Sequence, residues 1–167
     1  MLRETVLFAE IAQFWPRSDE PLSPHLATLV QRAIREFPAS SRVWLMYGDF
    51  LSISHVDDHS PTTVNNVVAA YRQALALDPA CADAYQELGF VYDLRCQDAP
   101  AAEAAFRAAI AFGAGVHSYY GLARALAQQG RQHEACQVLT DGSCPYASEP
   151  TIQELLSEIR DGMWSLP

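Results

Sequence analysis

The sequence predicts an all-α fold made of stacked pairs of antiparallel helices. A motif of aromatic, leucine and small residues recurs at a spacing of about 34 residues, the kind of period that indicates a helical repeat architecture. The composition agrees with this, because 50% of the residues are hydrophobic and alanine, a strong helix former, is abundant. Prolines and glycines are scattered, so no segment is predicted to be disordered.

The recurring motif is clearest in two stretches of the second half of the chain. Residues 85–92 (YQELGFVY) are followed by Ala102 and Phe106, and residues 119–126 (YYGLARAL) are followed by Ala135 and Leu139. Residues 44–51 (WLMYGDFL) begin an earlier copy, whose second helix runs through residues 67–79. Before it, only a second helix is recognisable, at residues 26–38.

These motifs resemble the tetratricopeptide repeat, W-x2-L-G-x2-Y followed by A-x3-F and proline. The resemblance spans roughly residues 22–141. It implies a right-handed superhelical solenoid of antiparallel helix pairs, with about three to four repeats and a C-terminal capping helix. We therefore expect a single domain over residues 1–167. Its expected parts are a degenerate N-terminal helix pair (1–40), three recognisable repeats (41–80, 81–114 and 115–147), and a capping helix with a tail (148–167).

Small residues in the motif are predicted to let the helices of a pair approach closely, and large residues to fill the space between pairs. The small positions are Gly48, Gly89, Ala102, Ala123 and Ala135. The large positions are Trp44, Tyr71, Tyr85, Phe106, Tyr119 and Leu139.

The sequence departs from a regular repeat in two turns and at its end. About seven extra residues fall within 52–63, and one extra residue is predicted in the turn 97–100. A last helix is expected from about Pro150 to Asp161, with Thr151 and Glu154 as its capping box.

Charge and composition exclude several classes of function. The net charge is −9 and all eleven basic residues are arginine, so there is no basic cluster to neutralise nucleic-acid phosphates or an anionic membrane. Mechanisms that need a catalytic lysine are excluded. Glu4 and Glu10 interrupt any signal-peptide core and no stretch is long and apolar enough to span a membrane, so we expect a cytoplasmic and, from its composition, bacterial protein.

No motif predicts catalysis or a cofactor. The chain lacks a glycine-rich phosphate loop and a nucleophile elbow, and we interpret the neighbours His133 and Cys136 as packing residues. Cys81 and Cys136 are expected to be reduced and to fill small sites in the core or between helices. The metal-ligand types in the inserted turn leave metal binding as an alternative, although its composition is typical of a solvated loop. These residues are His55, Asp57, Asp58 and His59.

The family resemblance implies that the first helix of each pair lines a concave groove where a partner binds. The candidate groove residues are Arg42, Leu45, Asp49, Asp83, Gln86, Phe90, Asp93, His117, Tyr120, Arg124 and Gln128. Phe90 and Tyr120 would be ligand anchors or contacts with a neighbouring helix, and we favour anchors because aromatic residues dominate binding hot spots. The aspartates favour a partner with basic or polar side chains.

We therefore expect a protein–protein interaction module, not an enzyme: an adaptor, an assembly factor or a client-specific chaperone that binds a peptide or protein in its groove. The alternative is a self-associating homodimer with no peptide ligand. Apolar residues near the N-terminal helix and in the tail Met163, Trp164, Ser165 and Leu166 would serve that role.

Overall fold

The computed structural model describes residues 2–17, 21–54, 60–142 and 144–164, and within these ranges the regular structure is helical throughout. The α-helices of the described ranges are α1 (Leu2–Phe14), α2 (Pro24–Glu36), α3 (Ser41–Ser54), α4 (Pro61–Leu77), α5 (Ala82–Val91), α6 (Ala99–Ala111), α7 (Val116–Gln128), α8 (Gln132–Thr140) and α9 (Pro150–Arg160). The all-α prediction is thus confirmed for the part of the chain that the structure describes.

Polar caps followed by proline fix where three of the helices begin. The side chain of Ser23 accepts a hydrogen bond from the backbone of His25 at the start of α2. Ser60 caps α4 in the same way, and Asp98 caps α6 by accepting from the backbone of Ala101 at 3.0 Å. Each cap stands one or two residues before a proline, whose missing N–H costs nothing in a first helical turn.

The chain divides into two compact units, Met1–Pro79 and Ala80–Pro167. In the first unit, α1, α2 and α3 share a core that includes Leu7, Ile11, Leu26 and Val30. Helix α4 packs on α3 through Tyr71, whose ring lies directly against Gly48 and is 1% exposed. The close approach predicted at Gly48 is therefore confirmed.

The second unit is built around the ring of Phe106, which is fully buried. Gly89 of α5 and Gly121 of α7 both face this ring, and a methyl group at Gly89 would lie 2.6 Å from its Cε1 atom. Ala102, Ala123 and Ala135 are fully buried as well. The predicted pattern of small residues around large ones is confirmed here, with Gly121 as an additional small position.

The extra residue of this unit lies elsewhere than predicted. Helix α5 continues directly into a π-helical turn over Tyr92–Cys96. A π-helical turn holds one residue more than an α-turn, so it absorbs the insertion within the helix. Gln97 then ends the helix in a left-handed conformation (φ 53°), and the backbone N–H of Asp98 donates to the carbonyl of Tyr92 at 2.9 Å.

One further expectation about local structure was wrong. Helix α9 spans the expected residues, but its N-cap is Glu149 and no side chain caps it, so Thr151 and Glu154 form no capping box. Cys81 and Cys136 are free and half-buried, Cys136 packs against the core of the second unit, and Cys144 is buried. Part of the inserted turn, residues 55–59, lies outside the described residues.

Candidate functional site: one cleft in each unit

Three of the predicted groove residues, Arg42, Leu45 and Asp49, line one open groove of the first unit. They lie on α3 and face α1 across a space of about 470 Å³. The described residues that line it are Phe8, Ile11, Ala12, Trp15, Arg42, Leu45, Met46 and Asp49. The groove is therefore mainly apolar, with one charge of each sign on its α3 wall.

Both charged residues of this groove are held in place by other side chains. The guanidinium of Arg42 lies over the ring of Phe8, 4.0 Å from its centroid. The carboxylate of Asp49 accepts a hydrogen bond from the hydroxyl of Tyr71 at 3.0 Å. Such contacts restrict the side-chain rotamers before any ligand arrives, which lowers the entropic cost of binding.

In the second unit, three predicted groove residues bind one another. The carboxylate of Asp93, which is buried at the π-helical turn, forms an ion pair with Arg124 of α7 at 2.7 Å. It also accepts a hydrogen bond from the amide of Gln128 at 2.9 Å. The guanidinium of Arg124 lies 5.0 Å from the centroid of the Trp164 ring. These groups join α5 to α7, so Asp93 is shielded from a partner.

Two more predicted residues are engaged inside the second unit, and one faces solvent. The side chain of Gln86 accepts a hydrogen bond from the buried hydroxyl of Ser118 at 3.0 Å. Phe90 is half-buried and packs edge-on against Phe106, with 5.1 Å between the ring centroids. Asp83, at the start of α5, is exposed. Phe90 therefore contributes to the packing of α5, whatever else it contacts.

His117 and Tyr120 lie in a second cleft, between α7 and α9, with a volume of about 370 Å³. The described residues that line it are Val116, His117, Tyr120, Thr151, Glu154, Leu155 and Glu158. The sequence predicts only a capping role for α9, and its contribution to a cleft was not predicted. The spacing of Glu154 and Glu158, four residues apart, was the available signal, since it places both carboxylates on one helix face.

The described residues contain no group of three or more histidine, cysteine, aspartate or glutamate side chains that could hold a metal ion. His55, Asp57, Asp58 and His59 lie outside the described residues, so the metal-binding alternative stays a prediction. His133 is exposed, and Cys136 packs against the core of the second unit. In the described part of the chain, no helix combines the length and apolar character needed to cross a membrane.

Comparison with known proteins supports the fold. No family model matches the sequence, and no curated protein matches it. A solved structure of a thermophilic TPR protein from Thermus thermophilus is similar, with a TM-score of 0.63 and 15% sequence identity. The match covers 83% of this chain and 71% of that protein. At this identity the similarity establishes a TPR-like helical fold.

Proposed function

We propose that this chain is a protein-interaction module that binds a segment of a partner protein in the groove between α1 and α3. The observation that carries this proposal is the groove itself: an open, mainly apolar channel of about 470 Å³ whose wall includes Leu45 and Met46. Apolar grooves with a few fixed polar groups are the usual form of peptide-binding sites in helical proteins. Binding rather than catalysis is the role that these groups support.

The two opposite charges on α3 make one end of the groove positive and the other negative. Arg42 and Asp49 are seven residues apart on one helix, which corresponds to roughly 10 Å along the helix axis. A partner segment that places apolar side chains on Leu45 and a basic or polar side chain near Asp49 matches this order. Such recognition of a short segment would suit an adaptor, an assembly factor or a client-specific chaperone.

Substitution of Leu45 tests the proposal. We would select peptides from a displayed random library on the wild-type protein and measure their Kd by fluorescence anisotropy. Leu45→Glu places a charge in the apolar channel and is expected to weaken binding by at least tenfold, since burying an unpaired charge costs more than about 1.4 kcal/mol.

Leu77→Glu is the matched control, because Leu77 is also a partly exposed leucine near a helix end of the first unit and does not line the groove. Equal affinities of wild type, Leu45→Glu and Leu77→Glu would contradict the groove as the binding surface. Failure of the wild type to enrich any peptide would contradict peptide binding altogether.

A second candidate function is self-association, favoured by exposed apolar side chains in the second unit. Leu94 is 54% exposed and Met163 is 70% exposed, and both line a cleft next to Trp164. A second copy could cover them, and Leu94→Glu would then dissociate the dimer in sedimentation equilibrium. A wild type that remains monomeric over the accessible concentration range would exclude this alternative. Ser165 and Leu166 lie outside the described residues.

A further inference from the structure

The two carboxylates that line the α7/α9 cleft are partnered differently from the carboxylate of Asp93 in the same unit. Asp93 is neutralised by Arg124. The side chain of Glu154, by contrast, makes no hydrogen bond or ion pair with another described residue. Among the described residues, the carboxylate of Glu158 accepts a hydrogen bond only from the indole N–H of Trp164, at 3.0 Å and on one of its two oxygens. The described residues that line the cleft include neither an arginine nor a lysine.

The cleft also contains apolar and aromatic side chains that can pack against the aliphatic stem and the charged head of a basic side chain. Leu155 is buried at its base, and Val116 is half-buried beside it. The half-buried ring of Tyr120 forms part of the α7 wall. An arginine or lysine side chain has the matching construction, with an apolar stem that packs on such residues and a charged head that interacts with carboxylates and aromatic faces.

We propose that the α7/α9 cleft binds an arginine or lysine side chain of the partner protein. The cation interacts with Glu154 and Glu158, the stem packs on Leu155, and Tyr120 lies beside it. This inference rests on the proposed function and specifies in addition that the partner presents a positively charged side chain. Helix α9 is then part of the recognition surface as well as the end of the second unit.

A pair of small probes isolates the charge. N-acetylarginine amide and N-acetylcitrulline amide have nearly the same shape, but only the first is cationic. We would titrate each into ¹⁵N-labelled protein and follow the backbone amide shifts. The arginine probe is expected to give saturable shifts at residues of α7 and α9, and the citrulline probe to bind at least about fivefold more weakly, as loss of exposed ion pairs predicts.

Two pairs of substitutions separate local recognition from net charge. The Glu154→Gln/Glu158→Gln variant is expected to bind the arginine probe about fivefold more weakly. The control Glu149→Gln/Asp161→Asn removes the same charge from the ends of α9, outside the cleft lining, and is expected to bind like the wild type. Tyr120→Leu keeps the apolar bulk and is expected to weaken binding by removing the aromatic face.

Equal binding of both probes, or equal losses in the two charge variants, would overturn this inference. So would shifts confined to helices other than α7 and α9. Such results would leave the proposed function intact if the library still yields peptides that depend on Leu45. Conversely, saturable arginine binding in the cleft with no enriched peptide would overturn the groove proposal and retain the cation site.

Discussion

The ring of Phe106 decides how closely α5, α6 and α7 can pack. Gly89 and Gly121 face it from two sides, and an added methyl group at Gly121 would overlap the ring. Gly121→Ala is therefore expected to destabilise the protein by about 1–3 kcal/mol through overpacking, even though alanine favours helix by about 1 kcal/mol over glycine. Denaturant unfolding followed by circular dichroism measures this difference.

The Phe106→Leu background is the control for that prediction, because the smaller side chain leaves space for a methyl group. Gly121→Ala should cost less there, since residues in contact give non-additive free energies. An equal cost in both backgrounds would show that the steric explanation is wrong.

Individual residues were predictable where a repeated pattern fixes their neighbours. Tyr71, Phe106 and Leu139 are buried as the motif predicts, because each copy must bury the same face. The pairing of Asp93 with Arg124 was not predicted. The two residues are far apart in sequence, and their contact depends on a π-helical turn that leaves no clear sequence pattern.

At the level of elements, a polar network joins α6, α7 and α8. Glu103 accepts hydrogen bonds from Arg107 at 2.9 Å and from Gln129 at 2.9 Å, and forms an ion pair with Arg131. Burial by itself would raise the pKa of Glu103, but the hydrogen bonds from Gln129, Arg107 and Arg131 outweigh it and lower the pKa below 4.5. Arg131 also pairs with Glu134 at 2.6 Å, so the network reaches α8.

This network predicts a pH dependence of stability. A carboxylate with a lowered folded-state pKa stabilises the fold above its unfolded pKa, and the contribution is lost as the pH falls through the folded value. The free energy of unfolding of the wild type should therefore decrease below about pH 4.5. The free energy of unfolding of the Glu103→Gln variant should decrease less steeply over the same pH range. At neutral pH this variant should be less stable than the wild type. Denaturant titrations at several pH values measure this difference. An equally steep fall of the free energy of unfolding with pH in the two proteins would contradict the role of Glu103.

The helices themselves were largely predictable, and their detailed ends were not. Ser23, Ser60 and Asp98 mark real helix starts, since serine or aspartate just before proline suits both the cap and the first turn. Thr151 and Glu154 matched a capping pattern, yet α9 begins one residue before Thr151. A pattern of two residues cannot distinguish a cap from the first turn of a helix that has already begun. Because Glu154 was assigned to the capping box, its place in the cleft was not predicted.

At the scale of the whole molecule, repeat spacing and composition predicted an all-α repeat fold, because helical repeats bury one recurrent pattern. The resemblance of the motifs to the tetratricopeptide repeat implied the TPR-like arrangement. The same information placed the candidate binding residues on one helical face, but it could not tell which of them remain available. Internal pairing engages Gln86 and Asp93, whereas Leu45 and Tyr120 line open clefts. Availability depends on contacts between helices, which a single sequence does not specify.

The central claim is that the groove between α1 and α3 binds a partner segment, and amide-shift mapping tests it most directly. The highest-affinity peptide from the library would be titrated into ¹⁵N-labelled wild-type protein. We expect the largest shifts in α1 and α3 around Leu45 and, for peptides with arginine or lysine, in α7 and α9 around Tyr120 and Glu154. Shifts concentrated in α2, α4, α6 and α8 would place binding on the opposite helices and contradict the claim.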